Sequence, residues 1–129
     1  MPTIHSVLTR AVDHPSVLVV DDDPLIRSLV AIMLEDAGFE AATAESGQVA
    51  LDRIASLPVQ LVILDLAMPV MDGREFYRAL RARGDTTPVL IVSGSGASRA
   101  RQELGAEGSL SKPFDPEDLV ERVRALLVA

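Results

Sequence analysis

Val17-Leu18-Val19-Val20-Asp21-Asp22-Asp23-Pro24 decides how this chain folds: an unbroken, mostly β-branched apolar run passes directly into three acids and a proline. Continuous apolar runs of this length, closed by turn residues, are the pattern of strands buried on both faces of a parallel sheet. Leu61-Val62-Ile63-Leu64 and Val89-Leu90-Ile91-Val92 repeat it. Glu40 to Ala44 and Ser109 to Ser111 read as weaker strands, nearer the edges. Between the runs the apolar period changes to steps of three and four: Leu25, Leu29, Ile32 and Met33; Ala50, Ile54 and Leu57; Phe76 and Leu80; Leu119, Val123, Leu126 and Leu127. These spacings predict amphipathic helices. Asp23 before Pro24 reads as an N-cap followed by proline at the first helical position, Asp115 before Pro116 repeats the device, and Gly38 stops the first helix. The fourth helix, Ala97 to Leu104, has only Ala100 and Leu104 as an apolar stripe and glycines at its start, so it is expected to be short or mobile. The outcome is an α/β chain of five strands and five helices in strict alternation, with a parallel sheet covered on both faces.

A length of 129 residues and 48% hydrophobic composition suit one domain with its own core. Twelve Lys and Arg against 19 Asp and Glu give a net charge of −7, the wrong sign for neutralising nucleic-acid phosphates. Three Phe, one Tyr and no Trp leave little for base stacking. With no cysteine, disulfides, thiolate nucleophiles and Cys-ligated zinc are excluded. No apolar run reaches the roughly 18 residues of a membrane span, and Met1 to Pro15 lack a secretory apolar stretch. A cytoplasmic protein without membrane or direct nucleic-acid contact is expected. Residues 1–15, which carry His5 and His14 without consistent periodicity, read as a tail or linker, and residues 16–129 as the folded domain.

In open parallel sheets, ligands bind beyond the carboxyl ends of the strands. Here the first strand runs into Asp21-Asp22-Asp23, the third into Asp65, the fourth into Ser93 and the fifth into Lys112. If these strands lie side by side, the polar side chains converge. Neighbouring ionised carboxylates need a cation, and an all-oxygen donor set favours a hard one such as Mg²⁺. A lysine offsets charge on a phosphoryl group and a hydroxyl donates to one of its oxygens. The combination points to phosphoryl transfer onto a carboxylate. Asp23 and Asp72 are read as N-caps and left out of the site. Gly94-Ser95-Gly96 is a poor dinucleotide fingerprint, because Arg99 stands where its third glycine belongs and the motif should follow the first strand. A hydrolytic phosphatase would need a second carboxylate, and Ala67 stands two residues beyond Asp65. A phosphorylation-independent scaffold leaves Asp65, Ser93 and Lys112 together without a reason.

The chain resembles the response-regulator receiver domains of two-component and phosphorelay signalling. The resemblance rests on Val17 to Pro24, on Leu64-Asp65-Leu66-Ala67-Met68-Pro69 with Asp72-Gly73, on Ser93, and on Lys112-Pro113-Phe114, and covers Ser16 to about Val128. It implies a flavodoxin-like sheet of order 2-1-3-4-5. It also implies that Asp65 accepts a phosphoryl group from a sensor histidine kinase or histidine phosphotransfer protein. Asp21, Asp22, Asp65 and the backbone carbonyl of Ala67 would hold Mg²⁺ (or Mn²⁺), Ser93 would be the switch hydroxyl, Lys112 would pair with the phosphoryl group, and Lys112–Pro113 would be cis. Activity would be limited to self-catalysed aspartyl phosphorylation and slow autodephosphorylation. Two features depart from the family: Ser109 stands where an aromatic is usual, and the interval from Ser93 to Lys112 is about one helical turn short. Both fall on the output face of the fourth helix, fifth strand and fifth helix. Signalling to a downstream protein is therefore expected by onward transfer or through another surface such as the first helix, from a monomer or weak dimer. Ending after its fifth helix, the chain is expected to be a stand-alone receiver; the alternatives are a phosphorylation-independent scaffold of receiver fold and a receiver excised from a hybrid histidine kinase.

Overall fold

A computed structural model describes residues 16–128, so the tail reading of residues 1–15 and the histidines in it lie outside the described residues. The elements are β1 (Ser16–Val20), α1 (Pro24–Asp36), β2 (Glu40–Ala44), α2 (Gly47–Ser56), β3 (Leu61–Asp65), α3 (Gly73–Ala82), β4 (Val89–Ser93), α4 (Ala97–Leu104), β5 (Gly108–Ser111) and α5 (Pro116–Val128). All strand pairs are parallel, in the order β2-β1-β3-β4-β5. The topology is the one expected, with the two weak strands at the edges.

The uninterrupted apolar runs follow from two cores. Leu18, Val20, Val62, Leu64, Val89 and Ile91 pack with Ala50, Phe76, Leu80 and Ala100 on the face covered by α2, α3 and α4. Val17, Val19, Leu61, Ile63, Leu90 and Val92 pack with Val30, Leu34, Leu119 and Val123 on the face covered by α1 and α5. Successive side chains of a strand point to opposite faces, so a strand clad on both sides needs apolar residues at every position.

Helix ends obey local chemistry. The Asp23 carboxylate accepts the N–H groups of Leu25 at 2.9 Å and Ile26 at 3.4 Å, capping α1 ahead of Pro24. At its other end Gly38 takes φ +96°, and the N–H groups of Gly38 and Phe39 return to the Glu35 and Leu34 carbonyls, a glycine-terminated C-cap. Asp72 and Glu75 form a reciprocal capping box on α3. The Asp115 carbonyl accepts the Leu119 N–H at 3.2 Å at the start of α5. Helix α4 has eight residues, and its N-cap, Gly96, offers no side-chain cap. Strand β5 starts one residue earlier than its side chains suggest, at Gly108, where a Cβ would meet Leu126 Cδ1 at 3.1 Å and Leu90 Cδ1 at 3.2 Å. Glycine lets α5 close over the edge strand there.

Candidate functional site

The strand register brings the carboxyl ends of β1, β3, β4 and β5 together. Val20 is level with Leu64, Asp65 with Val92, and Ser93 with Ser111. Asp65 and Ser93 are the last residues of their strands, and Asp21 and Lys112 follow theirs immediately. Asp21, Asp65 and Ser93 are the buried polar residues among those described, with 5, 7 and 6% of their surface exposed. Asp22 faces solvent.

Carboxylate oxygens of Asp21, Asp22 and Asp65 lie within 4.8 Å of one another. The Lys112 ammonium donates to Asp21 Oδ2 at 3.1 Å and to Asp65 Oδ1 at 3.5 Å. Asp21 Oδ1 also accepts the Asp23 N–H at 2.9 Å, and the Asp21 carbonyl accepts Arg27 Nη1 at 2.8 Å. Burial first, and then the neighbouring Asp21 charge, push the Asp65 carboxyl above its ordinary value; Lys112 and the Ala67 N–H oppose this without cancelling it. For Lys112, burial works against the charged form, but hydrogen bonds and charge from Asp21 and Asp65 outweigh it and hold the ammonium above its ordinary range. One ammonium among three carboxylates leaves the cluster short of positive charge. Its donors are all oxygen and its residual charge is negative, so the residues fit a hard divalent cation.

Asp23 and Asp72, set aside as N-caps, are N-caps. Ser93 reaches the strand end as expected, but its hydroxyl donates to the Ser95 carbonyl at 2.8 Å. Ala67 lies in the exposed loop beyond β3, with its N–H directed to the Asp65 carboxylate. That loop turns back sharply: Gly73 N–H bonds the Leu66 carbonyl at 2.9 Å, and a Cβ on Gly73 would sit 2.6 Å from the Asp65 carbonyl oxygen. Only glycine allows α3 to start this close to the end of β3. The Lys112–Pro113 bond is cis.

Sequence reasoning did not single out Arg27, although it reaches the acidic loop. A signal was present: helical side chains lean toward the N-terminus, so an arginine one turn into a helix covers the loop before it. Nor did it find Arg81, which donates to the Asp85 and Thr87 carbonyls at 3.1 and 2.9 Å and pairs with Glu107 at 3.1 Å, joining the end of α3 to the entries of β4 and β5.

A family model described as the response regulator receiver domain matches residues 17–124. The chemotaxis protein CheY4 of Vibrio cholerae superposes with a TM-score of 0.82 at 36% identity, covering 88% of this chain and 99% of that one. The response regulator protein TrrA of Thermotoga maritima, solved in complex with Mg²⁺ and BeF, gives a TM-score of 0.79 at 33% identity, covering 88 and 99%. Among curated proteins, the alkaline phosphatase synthesis transcriptional regulatory protein SphR of Synechococcus elongatus is 38% identical over 123 residues, 86% of this chain but 48% of that protein. The chain spans about half the length of the curated relatives it matches, so the expectation of a stand-alone receiver gains no support from them. No helix among the described residues is long and apolar enough to cross a membrane.

Proposed function

The chain belongs to the response regulator receiver domain family, and we propose that Asp65 is its phosphoacceptor in a two-component or phosphorelay pathway. One observation carries this reading: three carboxylates, two of them buried, converge within 4.8 Å while Lys112 bridges Asp21 and Asp65. The donor is a phosphohistidine on a sensor histidine kinase or histidine phosphotransfer protein. A carboxylate oxygen of Asp65 attacks phosphorus, a P–O bond forms as the P–N bond breaks, and the imidazole nitrogen keeps the electron pair and takes up a proton.

Asp65 must be ionised to attack. Burial and Asp21 disfavour that state, while Lys112 and the Ala67 N–H support it. Asp21, Asp22, Asp65 and the Ala67 carbonyl would hold Mg²⁺ (or Mn²⁺), which when bound supplies the positive charge that stabilises the phosphoryl oxygens in transfer. Lys112 pairs with a phosphoryl oxygen by a small shift from its position 3.5 Å from Asp65. Ser93 must exchange its bond to the Ser95 carbonyl for one to the phosphoryl group, which couples phosphorylation to the β4–α4 loop. Water later attacks the acyl phosphate, so the chemistry is slow self-dephosphorylation rather than turnover of outside substrates.

Output follows from the half-buried Ser109, whose side chain provides no aromatic lever beneath α4. The signal leaves by onward transfer or through another surface. The outward face of α1 is suited to this, with Leu25, Leu29 and Ile32 exposed. The protein acts in the cytoplasm, as a monomer or weak dimer, on a downstream protein partner. Intact mass after incubation with acetyl phosphate tests the chemistry. The expected result is one phosphate adduct that needs Mg²⁺ and is absent from Asp65→Asn; an adduct that survives the substitution would overturn it.

A further inference from the structure

The loop from β1 to α1 is tethered on both sides of Asp22. Before it, the Asp21 N–H bonds the Ala44 carbonyl at 3.2 Å, and the Asp21 carboxylate is held by Lys112 and the Asp23 N–H. After it, the Asp23 carboxylate caps α1 and the Asp23 carbonyl accepts the Arg27 N–H at 2.9 Å. Among the described residues no hydrogen-bond donor reaches the Asp22 side chain, which is exposed. Asp22 is therefore placed by its backbone alone: the peptide plane joining Asp21 to Asp22 fixes where its side chain starts. The oxygen of that plane is the Asp21 carbonyl, held by Arg27 Nη1 at 2.8 Å.

We infer that Arg27 is a positioning residue: by holding the Asp21 carbonyl it fixes the Asp21–Asp22 peptide plane and keeps the Asp22 backbone where its carboxylate reaches those of Asp21 and Asp65 to share a divalent cation. The inference rests on the metal-dependent reading above. Arg27 acts in two opposed ways. Its positive charge, 2.8 Å from the Asp21 carbonyl, repels a second cation. Its hydrogen bond removes a rotation that would otherwise have to be frozen when the cation binds. Arg27 is half-buried and its guanidinium makes a charge-assisted bond to a fixed carbonyl, so the second effect dominates. The opposite signs make the assignment testable.

The test is calorimetric titration of the full chain with Mg²⁺ at neutral pH, comparing wild type with Arg27→Met, which keeps the apolar stem without charge or donors, and with Arg27→Lys, which keeps the charge. Positioning predicts Mg²⁺ binding about tenfold weaker in Arg27→Met, roughly the share of one charge-assisted hydrogen bond, with Arg27→Lys in between. Labelling by acetyl phosphate should then need proportionately more Mg²⁺ but reach the wild-type rate at saturation. Equal or tighter binding by Arg27→Met, with its urea midpoint showing it folded, would overturn the assignment and leave only charge repulsion. If Arg27→Met fails to fold, Arg27→Lys decides alone, since wild-type affinity there would equally overturn the role of the guanidinium. Wild type that binds no Mg²⁺ would overturn the metal reading itself, a distinct result.

Discussion

Lys112→Met removes the cation that, among the described residues, bridges Asp21 and Asp65, while keeping the apolar stem. In the native fold the ammonium is 3.1 Å from Asp21 and 3.5 Å from Asp65, whose side chains are only 6 and 9% exposed. Removing one partner of a fully buried pair costs about 3–5 kcal/mol, because a desolvated charge is left behind. The Lys112 side chain is 25% exposed, and water replaces part of the lost interaction, so about 2–3 kcal/mol is expected at pH 7 in EDTA. For a domain of this size that lowers Tm by roughly 10 °C. Two conditions should shrink the loss. Because the Asp65 carboxyl already titrates above its ordinary value and Lys112 lowers it, the variant raises it further. The deficit should close as pH falls through that range and Asp65 takes up a proton. Millimolar Mg²⁺ should restore much of the stability by replacing the missing charge. Urea denaturation across pH, with and without Mg²⁺, reads all three. A Lys112→Met variant within about 0.5 kcal/mol of wild type at pH 7 in EDTA would refute the electrostatic account.

Asp65→Asn should raise stability at pH 7 in EDTA by about 0.5–2 kcal/mol, the usual gain when a strained functional group is neutralised. A carboxyl raised in the fold above its ordinary 3.8 makes stability fall as pH climbs from that value through the folded one, and the substitution should flatten this part of the urea profile. Asp85 has the opposite sign. Burial works against its charged form, but the Thr87 hydroxyl and N–H at 2.6 and 2.8 Å, with Arg81 and Arg83, bring it below its ordinary value. Thr87→Val should therefore cost about 1 kcal/mol at neutral pH, a cost lost as pH falls below 3.8 through the folded value. Gly73→Ala would place a Cβ 2.6 Å from the Asp65 carbonyl oxygen. It should cost about 2–3 kcal/mol by urea denaturation and slow acetyl-phosphate labelling, whereas a cost below about 0.5 kcal/mol would contradict the close approach.

Much of this was legible because burial on both faces writes itself into composition. Strands such as Val17 to Val20 carry no polar residue to blur them, and Asp23-Pro24 encodes its own helix start. The converging acids were readable only on the assumption that β1, β3, β4 and β5 are neighbours. Strand order leaves no local trace, and the family resemblance supplied it. Gly108 was missed as a strand residue because glycine has no β preference; its place is fixed by Leu126 and Leu90 closing over it. The present bond of Ser93 to Ser95 was beyond reach, since a hydroxyl rotates to whichever acceptor the loop presents. Arg27 and Arg81 escaped because apolar periodicity is blind to the charged side of a helix, where long side chains reach back to distant carbonyls.

The central claim is that Asp65 itself carries the phosphoryl group. Borohydride reduces an aspartyl phosphate to homoserine, marking the residue permanently. The full chain, treated with acetyl phosphate and Mg²⁺, reduced, digested and sequenced by tandem mass spectrometry, should carry homoserine at position 65 and nowhere else. Homoserine at Asp21 or Asp22, or none in a chain that has gained phosphate, would contradict it.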